Sequence, residues 1–334
     1  MFGLTIACLV TLFCVSSVYC QIPPGYTCVP AGTCNINNGI DIRIVTPGNV
    51  NPCPPGQVLC PISATPTPTP TPTPSPTTCG TRGVANINPA DGFATPGAYP
   101  WQAYLVNQTG YAGSGVLINP NTVLTAAHKV YMNAATPNQV GVYMGVYDSA
   151  QLGLRYAVSS ITIHPGFNPA TLFNDIAILR LSAPIAPLPQ QFINTACLPT
   201  AGQSFVGQTC SVSGWGQTAF NVNDAPTRQQ KQVGVTIVNY ATCYASMSNA
   251  TLLGTNVNLY LDPVGEICAG GQAMRDACTQ DGGSPLVCLV NGRFVVAGLV
   301  AWGKGCGQAG VYGVYVNVPN YITWIQNTLA TLNG

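Results

Sequence analysis

The chain has 334 residues, of which 47% are hydrophobic and only 6% charged, and its ten basic and nine acidic side chains leave a net charge of +1. That balance excludes the electrostatic footprint needed to bind nucleic acid or an anionic membrane. The length allows a sizeable core, and fifteen cysteines point to an oxidising compartment.

Residues 2–19 are apolar, short for a membrane span, and end in Val18-Tyr19-Cys20. The pattern predicts a signal peptide, residues 1–20, cleaved before Gln21. Its removal takes Cys8, Cys14 and Cys20 and leaves twelve cysteines, an even number. Residues 21–62 follow as a unit with Cys28, Cys34, Cys53 and Cys60. Roughly 40 residues cannot build a self-sufficient core, so disulfides must supply the missing stability. Four cysteines allow three pairings. Residues 63–78 are dominated by alternating threonine and proline from Thr65 to Pro76. Proline fixes φ and removes backbone donors, which predicts an extended spacer carrying hydroxyls suited to O-linked sugar.

Residues 79–334 read as one all-β unit closed by a helix. Tyr99-Pro-Trp-Gln102 and Val123-Leu-Thr-Ala-Ala-His128 come first. Short β-branched or aromatic runs then recur between turns, at 140–144, 156–161, 175–179, 233–238 and 294–300. Between them stand Asn174-Asp-Ile-Ala-Ile-Leu-Arg-Leu181 and Cys210-Ser-Val-Ser-Gly-Trp-Gly216. Next come Asp276-Ala-Cys-Thr-Gln-Asp-Gly-Gly-Ser-Pro-Leu-Val-Cys288, Trp302-Gly303 and Gly313-Val-Tyr315. At the end, Asn320 is positioned to cap a helix whose apolar face holds Tyr321, Ile322, Trp324, Ile325 and Leu329. His164, the second of two histidines, falls in a loop-like Ile163-His-Pro-Gly segment and is expected at the surface.

These dispersed motifs resemble the chymotrypsin/trypsin-like serine proteases over the whole of 79–334. The resemblance implies two packed six-stranded antiparallel β-barrels with a C-terminal helix. It makes His128 the base and Asp175 the residue that orients it. The nucleophile motif resembles Cys-x-Gly-Asp-Ser-Gly-Gly-Pro, and Gly282 then takes the serine's position. A glycine has no oxygen for a base to activate, so the three triad positions are vestigial and no catalytic function is expected. Ser284 is two residues further on, about 7 Å along extended chain. A base must lie within about 3.2 Å of its nucleophile, so an active endopeptidase using Ser284 is the lesser alternative. Gln280 replaces the glycine whose amide would help bind an oxyanion, which puts that site in doubt as well.

The same resemblance implies the disulfides Cys79–Cys197, Cys210–Cys288, Cys243–Cys268 and Cys278–Cys306. One family bridge is absent at both ends, where Lys129 and Gly113 stand. Asp276 falls at the base of the specificity pocket, with Gly303 and Gly313 at its walls, a remnant suited to an arginine or lysine side chain. The activation junction expected near Ile87-Asn88 has neither a basic residue nor the usual new terminus, so Asp281 cannot pair with one. Arg82 and Arg43 are the candidate processing sites.

The cysteine pattern of 21–62, with Gly39-Ile-Asp-Ile-Arg43, resembles the clip domain of arthropod protease cascades, in particular the variety attached to inactive homologues. One of the usual three bridges is missing, and the resemblance implies Cys28–Cys60 and Cys34–Cys53. Asn107-Gln-Thr109 and Asn249-Ala-Thr251 are glycosylation sequons.

The combined reading is a secreted, extracellular, non-catalytic homologue with neither cofactor nor metal. It would act as a binding cofactor or regulator in innate immunity, with active clip-domain proteases and prophenoloxidase as partners and self-association compatible with that role. A decoy or inhibitor of such a cascade is the alternative within the binding class.

Overall fold

The computed structural model describes residues 26–30, 57–61, 79–87, 91–217 and 225–333. The expected signal peptide, the spacer, Arg43, Cys34 and Cys53 lie outside them. The chain divides into two compact units, Met1–Pro76 and Thr77–Gly334. In the first, β1 (Tyr26–Pro30) pairs antiparallel with β2 (Gln57–Pro61), setting Thr27 opposite Cys60 and Cys28 opposite Leu59. Cys28 is disulfide-bonded.

The second unit begins with the two-residue β3 (Gly92–Phe93) and then closes a six-stranded barrel. Its strands are β4 (Gln102–Asn107), β5 (Gly110–Asn119), β6 (Thr122–Thr125), β7 (Gly141–Met144), β8 (Arg155–Ile163) and β9 (Ala177–Leu181). The second sheet holds β10 (Thr209–Gly214), β11 (Lys231–Val238), β12 (Glu266–Gly270), β13 (Pro285–Val290), β14 (Arg293–Trp302) and β15 (Tyr312–Asn317). It runs β10-β13-β14-β15-β12-β11, and the β10–β11 pairing closes it into the second barrel, with β3 added along β11. Two short helices, α1 (Tyr240–Met247) and α2 (Val257–Tyr260), precede β12.

Alternation along these strands decides what is inside. Leu105, Leu117, Val142 and Leu179 fill the first barrel, and Val212, Val235, Leu286 and Ala297 the second. A third cluster joins Trp101, Leu124, Ile176 and Ile178 of the first barrel to Val287, Val296 and Leu299 of the second. Each such side chain stabilises the fold by about 1.5–3 kcal/mol when fully buried, so the barrels are joined through an apolar core. Disulfides Cys79–Cys197, Cys210–Cys288, Cys243–Cys268 and Cys278–Cys306 tie this unit together.

Two local expectations are corrected. The chain enters its last helix, α3 (Ile322–Asn333), through a 3-10 turn, Val318–Tyr321, with Pro319 in its first positions, so Asn320 lies inside the turn and does not cap the helix. His164 is not a free surface residue. Its ring meets Tyr321 edge-on at 5.3 Å and Trp324 at 5.1 Å. Partial burial lowers its pKa. Tyr321, Ile322 and Ile325 enter the inter-barrel cluster, and the Tyr321 hydroxyl donates to Asn174 Oδ1 at 3.1 Å. The 3-10 turn leading into the helix therefore braces the segment that carries Asp175.

Candidate active-site remnant

Three chain segments converge where the barrels meet. After β6 the chain turns into a 3-10 segment, Ala127–Lys129, that carries His128. Asp175 precedes β9 and is 2% exposed. Its Oδ1 accepts the His128 amide at 2.7 Å, and its Oδ2 shares a hydrogen bond with the imidazole Nδ1 at 2.6 Å. Two contacts to one carboxylate fix both the backbone and the ring of His128. They hold a neutral imidazole in the tautomer with its proton on Nδ1 and its lone pair on Nε2.

The third segment is the loop before β13. Asp281, 6% exposed, accepts the Gly216 amide at 2.8 Å and the Cys278 amide at 2.9 Å. Burial raises its pKa, while the charges of Lys231 and Lys129 and these amides act the other way. The Gly282 carbonyl accepts the Ser114 amide at 3.1 Å, and the Gly283 amide donates to the Val300 carbonyl at 2.8 Å. Position 282 is thus fixed from both sides. Gly283 has φ +81°, and a Cβ there would overlap the Ser114 carbonyl.

A Cβ built on Gly282 would lie 2.7 Å from His128 Nε2, 3.1 Å from His128 Cε1 and 3.0 Å from Lys129 Cδ. No hydroxyl is among these nearest groups. The imidazole can accept a proton at Nε2, but no side-chain nucleophile stands there to supply one. Ser284 is fully buried, and its Oγ accepts from Gln102 Nε2 at 3.4 Å. Gln102 in turn accepts from the Ser213 hydroxyl at 2.8 Å. Ser284 is a core residue between the barrels.

Gln280 corrects an expectation. It adopts φ +73°, the left-handed conformation usually left to glycine. The amides of Gln280 and Gly282 donate to no protein acceptor among the described residues. The changed side chain therefore leaves both amides free to donate to a ligand.

His128, Lys129, Gln280 and Gly282 line a cavity of about 130 Å³ together with Asp276 and Tyr315, and Gly303 and Gly313 also line it. A Cβ on Gly313 would lie 2.9 Å from Asp276 Oδ1 and 3.3 Å from the Tyr315 hydroxyl. Asp276 Oδ2 accepts the Gly307 amide at 3.2 Å. Its Oδ1 and the Tyr315 hydroxyl are buried with no partner among the described residues. Burial pushes the Asp276 carboxyl up to about 6, against the Gly307 and Ala277 amides.

The residue that sequence reasoning undervalued is Lys129. It was legible as a missing cysteine; as a new side chain it fills the space beside position 282. A Cβ on Gly113, which has φ +141°, would overlap Lys129 Cε and lie 2.8 Å from the Gly282 carbonyl. Glycine at 113 is what lets the lysine pass, and the simultaneous change at both ends of the lost bridge was the available signal. Burial lowers the Lys129 pKa, while the charges of Asp281 and Asp175 raise it.

The other expected sites sit elsewhere. Arg82 stacks its guanidinium 4.1 Å over the Phe294 ring and 4.9 Å over Tyr99, so a protease reaching it would first have to unseat it. Asn107 and Asn249 each accept hydrogen bonds from the amide and hydroxyl of the threonine two residues on. Among the described residues there is no cluster of potential metal ligands, and no helix is long and apolar enough to cross a membrane.

Two closed six-stranded barrels with a His–Asp pair at their junction define a chymotrypsin-like scaffold. The model of the trypsin family matches residues 92–325. An inactive CLIP domain-containing serine protease A3 from Aedes aegypti is 42% identical over 320 residues, covering 91% of this chain and 66% of that protein. Phenoloxidase-activating factor 2 of Galleria mellonella is 37% identical over 279 residues, 75% of this chain and 89% of that protein. A tryptase of Mus musculus is 35% identical over 238 residues, 69% of this chain and 84% of that protein. The chain belongs to the trypsin family, as a clip-domain serine protease homologue.

Proposed function

We propose that this chain is a secreted, non-catalytic regulator of an extracellular protease cascade of the kind that activates prophenoloxidase, and that Gly282 stands where an active relative would carry its serine. The observation that carries this reading is the surroundings of His128 Nε2. The base is held in working orientation by Asp175, yet position 282 offers no side chain and Ser284 is sequestered with Gln102. An enzyme of this kind that lacks its nucleophile loses on the order of 10⁶ in kcat. What remains is a scaffold that presents surfaces and a pocket, with binding as its mode of action. The names of two relatives support the setting: one is an inactive CLIP domain-containing protease, the other a phenoloxidase-activating factor.

In this proposal residues 1–20 are the secretion signal and residues 21–62 a clip-like module closed by Cys28–Cys60 and Cys34–Cys53. Residues 63–78 are the spacer, and 79–334 are the partner-binding domain with sugar at Asn107 and Asn249. Cutting after Arg43 would act within the module. The partners are active clip-domain proteases and prophenoloxidase.

The test is reconstitution. Purified full-length protein is added to prophenoloxidase and its activating protease, and phenoloxidase activity is followed beside hydrolysis of an arginyl amide by the homologue alone. The proposal expects phenoloxidase output to change while the homologue hydrolyses nothing. Unchanged output across a range of concentrations would remove it.

A further inference from the structure

The cavity beside His128 is polar in two distinct ways. Around Gly313 it presents Asp276 Oδ1 and the Tyr315 hydroxyl, both buried and both without a protein partner among the described residues. A buried carboxylate oxygen and a phenol with nothing to bond call for a cationic donor. Around Gly282 it presents donors, beside one further acceptor, Gln280 Oε1, which is buried and has no partner among the described residues. The Gln280 and Gly282 amides have no protein acceptor, and Lys129, whose stem passes between Gly113 and Gly282, lines the same cavity. The Lys129 ammonium makes no ion pair or hydrogen bond among the described residues. Asp281 and Asp175 influence it only through space, which leaves the half-buried ammonium able to meet an anion that enters the cavity.

A peptide that continues through this site offers a neutral carbonyl at that point. A peptide that ends there offers a full negative charge. We propose that the cavity takes the C-terminal basic residue of an already cleaved polypeptide, its cationic side chain at Asp276 and its free carboxylate at Lys129 and the amides of Gln280 and Gly282. The inference rests on the non-catalytic reading of this same site and names its ligand: the new end left by a protease that cuts after arginine or lysine. Lys129 and Gly282 act together, because a side chain at 282 would compete with the lysine stem for space. Binding would also relieve the buried Asp276 carboxyl, since a cation favours its ionised form.

The test titrates full-length protein calorimetrically with one short peptide in four forms: ending in arginine as the free acid, the same amidated, ending in alanine, and extended past the arginine. A hydrogen-bonded charge pair is worth roughly 10- to 100-fold in affinity, so the free acid should bind about that much more tightly than the amide and the extended form. Lys129→Met should narrow the gap between acid and amide, whereas Asp276→Asn should remove the preference for arginine over alanine. Equal affinity of the unaltered protein for acid and amide, or no binding of the acid form, would overturn the inference even if neither variant folds. Mass spectrometry of the extended peptide separates the two levels. A cut peptide refutes the non-catalytic reading itself, and an intact peptide with no selectivity for the acid refutes only the ligand.

Discussion

On the proposed reading, Gly282→Ser supplies a hydroxyl beside His128, and the structure predicts that the replacement still yields no enzyme. The new Cβ would stand 2.7 Å from His128 Nε2 and 3.0 Å from Lys129 Cδ, closer than ordinary carbon contacts of about 3.5–4.0 Å. The imidazole cannot simply retreat, because Asp175 holds its ring at 2.6 Å and its amide at 2.7 Å. The lysine stem already occupies the space that a side chain on Gly113 would take, beside position 282. Forcing extra atoms into such a site costs about 1–3 kcal/mol. At about 2–4 °C per kcal/mol for a large domain, Gly282→Ser should lower Tm by about 2–12 °C. It should also hydrolyse no arginyl amide, because a Cβ crowded against Nε2 leaves its hydroxyl out of line with the base. Adding Lys129→Ala should return part of the loss, with an interaction of about 0.5–3 kcal/mol between the two sites. Calorimetric melting of the two single variants and the double variant, beside a fluorogenic arginyl amide assay, reads all of this. A single variant that cuts the substrate, or that melts with the unaltered protein and shows strictly additive losses, would refute the packing argument.

Other outcomes follow from the same contacts. Truncating His128 to alanine leaves the buried carboxylate of Asp175 without its ring partner, so urea unfolding should report a loss of about 1–3 kcal/mol; a neutral result would show that the pair does not support the fold. Glu266 is 6% exposed, and burial pushes its carboxyl up to about 8, against hydrogen bonds from the Asp262 amide and the Trp302 indole. Its folded pKa exceeds the unfolded value of about 4.3, so the folded state holds the proton more tightly. That contribution is complete below the unfolded pKa and is lost as pH rises through the folded one. Burial raises Asp276 and Asp281 as well, which adds to the trend. Stability should therefore fall between pH 5 and about 8, and Glu266→Gln should flatten that slope while costing some stability at pH 5, since glutamine keeps one acceptor oxygen and its NH2 group cannot accept the second hydrogen bond. Parallel pH profiles for the two proteins would contradict the assignment.

The sequence was most informative where the chemistry needs particular side chains in a local pattern. His128 and Asp175 each stood in a recognisable run, and the alternating strands around them were legible because both barrels bury one face. Failures came where a distant segment decides the environment. His164 reads as a loop residue until α3 returns to pack on it. Asn320 looked like a cap because local rules do not register that Pro319 begins a 3-10 turn. Gln280 suggested a damaged anion site, yet its backbone takes the glycine conformation and leaves its amide available. Lys129 is the clearest case. Only the folded chain shows that glycine at 113 leaves the space that the lysine occupies.

The most direct measurement is covalent labelling of the full-length protein by a fluorophosphonate, which reacts with any serine that a working base activates, with trypsin as the positive control. With Gly282 beside Nε2 and Ser284 buried against Gln102, no label should be taken up at any pH where trypsin reacts. Labelling that maps to Ser284 and disappears in Ser284→Ala would contradict the account.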